Sequence, residues 1–149
     1  MIAPDSLLRE QSSAPLRELL VKSNSWNNVW AIEEANLLFP GITQGAVVIS
    51  VSSKGITNSL TIYGPIQRND LIREGTGLAP KVLSYELALS QWHDWTRNTW
   101  AVPRLPKNTY ERKNVLKIID EMAKNPRLGD SDHWLVRGGD SIRVRVGEI

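Results

Sequence analysis

The chain contains no cysteine. That one absence removes disulfides, thiolate metal sites and thiol catalysis together. Histidine is scarce too, with only His93 and His133 available as imidazole acids, bases or ligands. No apolar run approaches the roughly 20 residues that a membrane-spanning helix needs. No basic and then apolar leader opens the sequence, since Met1–Pro4 runs directly into Asp5, and a signal peptide is not expected. Neither sign of charge dominates, the formal net charge being +2. Low-complexity tracts, internal repeats and linkers long enough to divide the chain are also missing. With 149 residues, the expectation is one domain spanning 1–149. A chain of this size can bury roughly 70% of its unfolded surface, so it needs no covalent staple.

What the sequence does have is tryptophan, six residues against a single phenylalanine. Three of them, Trp92, Trp95 and Trp100, fall in residues 85–127, where the one charge imbalance also lies. Residues 97–127 hold Arg97, Arg104, Lys107, Arg112, Lys113, Lys117, Lys124 and Arg127 against Glu111, Asp120 and Glu121. Aromatics beside cations point to nucleic acid, to a protein partner, or to a packed core with a solvated face.

Periodicity gives the expected elements. Leu7, Leu8, Leu16, Leu19 and Leu20 read as helical, with Pro15 placed for a first turn. Ser25 reads as the cap of a second helix carrying Trp26, Val29, Trp30 and Leu37, stopped by Phe39-Pro40-Gly41. Residues 46–63 change to a period of two. Val47, Ile49, Val51, Leu60 and Ile62 fall on one face, and Gly55 suits a left-handed turn position, so an antiparallel hairpin is expected. A long helix over about 80–100 would place Tyr85, Ala88, Leu89, Trp92, Trp95 and Trp100 on one face and Leu83 and Leu87 on nearly the opposite one. Asn108–Glu111 resembles a capping box. The helix after it should turn Val115, Ile118, Ile119 and Met122 inward and Arg112, Lys113, Lys117 and Lys124 outward. A second hairpin is expected over 134–146. The sum is an α+β fold with four or five helices on an antiparallel sheet built from two hairpins.

Chemical motifs are sparse. His93 and Asp94 are consecutive in the helical reading and cannot face each other. Glu33, Glu34, Glu74 and Glu86 have no evident partner for acid–base work. Gly75-Thr76-Gly77 before Pro80-Lys81 lacks the spacing and the preceding strand of a phosphate loop. Asp130, Asp132 and His133 could hold a divalent ion, but no fourth ligand is spaced to help, and turn chemistry explains such a cluster better. No catalytic, cofactor-binding or metal residue is therefore assigned.

The composition favours a non-enzymatic structural or assembly subunit that packs against copies of itself or other protein subunits. A small virion component such as a capsid, head–tail or tail protein fits this profile, and the expected location is cytoplasm or virion. The interface residues expected are Leu83, Leu87, Trp92, Trp95 and Trp100, because tryptophan is over-represented at interface centres. The alternative is a DNA- or RNA-binding accessory protein using Arg97, Arg104, Lys107, Arg112, Lys113, Lys117, Arg143 and Arg145. An enzyme with an unrecognised site comes third.

Overall fold

A computed structural model describes residues 1–33, 36, 39–70 and 82–127. It contains five strands, β1 (Ile2–Pro4), β2 (Asn24–Ile32), β3 (Ala46–Ser53), β4 (Ser59–Ile66) and β5 (Ser84–Ala88). Three α-helices accompany them, α1 (Ala14–Lys22), α2 (Leu89–Thr96) and α3 (Thr109–Ala123), with short 3-10 turns between. The strands form one mixed sheet in the order β1-β3-β2-β4-β5. Only β2 and β4 run parallel; the other pairs are antiparallel. The α+β class stands. The arrangement of four or five helices on an antiparallel sheet of two hairpins does not, since there are three α-helices among the described residues and a mixed sheet.

The 46–63 hairpin is the first correction. Both strands form, and Val47, Ile49, Leu60 and Ile62 are buried on one face with Val51 packed beside them. They do not pair with each other, because β2 lies between them. Alternation reports which side a residue faces and carries no information about which strand is its neighbour. The link from β3 to β4 instead crosses the start of β2. Thr57 is fully buried in that crossing, its hydroxyl accepting from Trp26 N at 2.9 Å and donating to Asn24 O at 3.1 Å. Gly55 is needed for closeness: a Cβ there would lie 2.8 Å from Ser25 Cβ. The left-handed backbone expected at Gly55 belongs to Lys54, with φ of 60°.

The second correction is the helix expected after Ser25, which is strand β2. Trp26, Val29 and Ile32 are all buried, a spacing of three that mimics a helix. One bulge and burial on both faces of the strand produce it. Register against β3 shifts between Trp26 and Asn28, and register against β4 shifts between Trp30 and Ile32. Against β3 the extra residue is Asn27 of β2, which resets the alternation and brings Trp26 and Val29 to the core side. Against β4 the extra residue lies in β4, and Ile32 is buried outside the core cluster beside its register partners Ala46 and Ile66. Leu37, placed on the same expected helix, lies outside the described residues, as does the expected hairpin at 134–146.

The long helix over 80–100 is the third correction. Residues 84–88 are an edge strand and only Leu89–Thr96 is helical. This removes the apparent second apolar face. In an extended segment Tyr85 and Leu87 point the same way, and both join the core with Trp92 and Trp95. That core is one cluster. Trp26 and Trp100 each meet Trp92 edge-on with centroids 5.5 Å apart, while Tyr85 stacks on Trp95 at 6.3 Å. Trp92 also donates to Ala101 O at 2.9 Å, which fixes the chain after the turn at Arg97–Thr99.

Thr57→Val should preserve volume yet leave the Trp26 amide and the Asn24 carbonyl unpaired in the interior. The expected loss is about 1–3 kcal/mol for each group orphaned. Urea unfolding would measure it, and Thr57→Ser should keep most of the stability.

Candidate functional surfaces

Helix α3 begins where the sequence predicts. Asn108 caps it, its side-chain oxygen accepting from Tyr110 N at 2.9 Å and Glu111 N at 3.1 Å. Its orientation differs from the expected one. Arg112 is buried, and Leu116, Ile119 and Ala123 pack on the core, whereas Ile118 and Met122 are 56% and 66% exposed. The inward face is thus turned by about one residue, roughly 100° of helix. A guanidinium on a long stem can reach backbone carbonyls that an aliphatic side chain leaves unpaired, and this sets the rotation. Arg112 Nε donates to Pro106 O at 3.0 Å, and its Nη2 donates to Gly64 O. Burial lowers its pKa from the ordinary arginine value.

The consequence is an apolar strip facing outward. Val115, Ile118 and Met122 follow the i, i+3, i+7 spacing of one helical face. Val115 is half-buried, and the other two are open. Sequence reasoning found these residues and assigned them to the wrong side.

The five residues expected at an interface lie elsewhere. Leu87, Trp92, Trp95 and Trp100 are buried in the chain's own core, and Leu83 is half-buried, its carbonyl accepting from Gly64 N. Trp95 further donates to Asp120 at 2.6 Å, joining α2 to α3. Packing within one chain accounts for them. Two aromatic side chains that periodicity had put on a helix or left unremarked occupy the other side of the sheet. Trp30 and Tyr63 are register partners on β2 and β4 and stack at 5.4 Å, with planes 8° apart. Val48 and Ile2 continue the row across β3 and β1. None of the four belongs to the core cluster. The signal for this row was legible only once β2 was known to be a strand.

The expected cationic set is dispersed. Arg112 is internal. Arg104 pairs with Asp5 at 3.0 Å, and Lys107 donates to buried Asp70 at 3.0 Å and to Gln67 at 3.0 Å. Arg97 is exposed in the turn after α2, and Lys113 and Lys117 are exposed on α3. Arg143 and Arg145 lie outside the described residues, as do Gly75–Lys81, Glu34, Glu74, Asp130, Asp132 and His133. Of the other candidates for acid–base chemistry, Glu33 accepts from Gln67 at 3.1 Å and Glu86 from Ser59 at 2.8 Å. His93 is exposed and sits 5.6 Å from the Trp100 ring. Among the described residues no group of three or more acidic or histidine side chains is placed to hold a metal ion. No described helix is long and apolar enough to cross a membrane.

A cavity of about 150 Å3 opens at the end of the sheet where β2 and β4 finish and β3 begins. Arg9, Arg104 and Asp5 stand at it, above walls that include Leu8, Ile62 and Val102. Of these residues only Arg104 carried a sequence signal as a site, and that as a nucleic-acid contact; 95 positions separate it from Arg9.

No protein-family model and no curated protein matches the sequence. Among solved structures, the fold is similar to that of a chain from work on "complex assembly and conformational transition of the type I R-M system". The TM-score is 0.51 at 15% identity, over 83% of this chain and 34% of that one. The protein described here therefore spans about a third of the length of that neighbour, and the likeness is one of fold.

Arg112→Leu should lower stability by about 1–3 kcal/mol for each carbonyl it leaves unpaired, measured by chemical denaturation. Lys113→Gln and Lys117→Gln should leave stability within about 0.5 kcal/mol, as surface changes do. That contrast would separate a structural arginine from two solvated lysines.

Proposed function

We propose that this chain is a non-enzymatic packing module that works by association of protein surfaces, in the first instance with a second copy of itself. The observation that carries the proposal is the outward apolar strip of α3, Val115, Ile118 and Met122, on a helix that already has a separate inward face. An antiparallel pairing of two α3 helices would lay the strip of one copy against that of the other, the self-complementary pattern that a two-fold interface needs. The chain of similar fold comes from work on complex assembly in a type I R-M system, which is in keeping with a role in a multi-component system. The narrower virion reading rests on composition alone. Nucleic-acid binding is the weaker alternative, because one of its expected cations is buried and two are paired with carboxylates.

The test is sedimentation of the full chain at high micromolar concentration, with Ile118→Asp/Met122→Asp alongside. The wild type should sediment above the 16.7 kDa of one chain. The double variant should return to that mass with an unchanged melting temperature. A wild type that stays at the mass of one chain would remove self-association. Binding of short DNA or RNA probes near physiological salt, with affinity falling steeply as salt is added, would promote the alternative.

A further inference from the structure

The cavity at the end of the sheet has a chemical asymmetry unrelated to the α3 strip. Its inner wall is apolar, with Leu8, Ile32, Ile62, Val102 and Leu105 among the lining residues. Its polar side carries two guanidiniums that converge on a single carboxylate oxygen. Arg9 Nη1 donates to Asp5 Oδ2 at 3.3 Å, and Arg104 Nη2 donates to the same oxygen at 3.0 Å. Each guanidinium has five N–H donors in a planar fork suited to bidentate carboxylate binding. Arg9 Nη1 also reaches Asp5 O at 3.4 Å, yet most of that capacity is left for a ligand, and the two like charges lie close together. The Arg9 pKa reflects this. Burial lowers it most, the neighbouring Arg104 lowers it further, and Asp5 acts in the opposite direction.

Asp5 is fixed by the backbone, its amide donating to Gly45 O at 3.0 Å. A Cβ on Gly45 would come within 3.0 Å of Asp5 Oδ2, so glycine there leaves the carboxylate in place between the cations. Glu33 is the other acid at the cavity, and Gln67 holds its Oε2. The cavity volume of about 150 Å3 is close to what takes up a benzene ring in an apolar protein interior.

We infer that this cavity binds a small monocarboxylate with a compact apolar body, its head bridging Arg104 and Arg9 and its body against Leu8, Ile62 and Val102. Charge-assisted hydrogen bonds would orient the head, and the apolar walls would select against bare inorganic anions.

The experiment is isothermal titration of the 149-residue chain with benzoate as probe, with benzamide as the uncharged isostere and inorganic phosphate as the anion without an apolar body. Benzoate should bind saturably, and benzamide and phosphate should bind at least roughly tenfold more weakly, the worth of about one charge-assisted hydrogen bond. Arg104→Gln lies on an exposed side chain and should weaken benzoate by a similar factor while leaving the melting temperature of the free protein nearly unchanged. Asp5→Asn, which removes the competing charge, should tighten it. The proposal is overturned if benzoate shows no saturable binding, if phosphate binds as well as benzoate, or if Arg104→Gln binds benzoate like the wild type.

Discussion

One hydroxyl group holds the crossing on which the sheet depends. Thr57 joins the link between β3 and β4 to the first residues of β2, satisfying an amide and a carbonyl that the crossing would otherwise bury unpaired. With that link drawn tight over Ser25, β3 and β4 are held on opposite sides of β2, and β2 becomes the central strand. A central strand must present apolar groups to the core, and the bulge of β2 at Asn27 brings Trp26 and Val29 to the same side. The tryptophan cluster then follows, because Trp26 provides the surface against which Trp92 packs edge-on.

Two arginines serve the interior rather than the surface. Arg17 is completely buried on α1 and donates to the carbonyls of Thr99, Leu7 and Glu10. Arg112 does the same from α3, reaching Pro106 and Gly64. Four of these carbonyls belong to 3-10 turns and connectors and that of Gly64 to the register irregularity of β4, and a guanidinium can satisfy several at once. Neither cation has a carboxylate among these bonds, and burial lowers the pKa of both. Each arginine therefore ties a helix to a segment distant in sequence. The rotation of α3 that this entails is what leaves Ile118 and Met122 outside, so the architectural role of Arg112 and the outward strip have one cause.

The two proposed activities occupy different parts of the molecule. The strip on α3 is an exposed helix face, and the arginine cavity lies where β2, β3 and β4 converge. The connector from Ala101 to Asn108 serves both neighbourhoods: Val102 and Arg104 line the cavity, Leu105 joins the core, and Asn108 caps α3. Its prolines, Pro103 and Pro106, fix backbone angles along this stretch.

The sequence by itself determined the α+β class, helix α1 with Pro15 at its start, the cap and extent of α3, and the inward side of β3 and β4. These are local properties: a cap is read within four residues, and alternation within a single strand. It also located the aromatic and basic stretch that supplies much of the core. Only the tertiary structure decided which strands are neighbours, because pairing is a contact between distant residues and leaves no mark on period. It decided that Trp26 and Val29 belong to a strand, since a bulge between them and the burial of Ile32 on the opposite face made that strand imitate a helix. It decided that residues 84–88 are extended while Leu89–Thr96 is helical, because Tyr85 and Leu87 gain a place in the core beside Trp92. Finally it placed Arg112 inside and Ile118 outside, and set Arg9 beside Arg104. Hydropathy ranks arginine as a surface residue, and nothing local to Arg112 announces the unpaired carbonyls waiting across the fold.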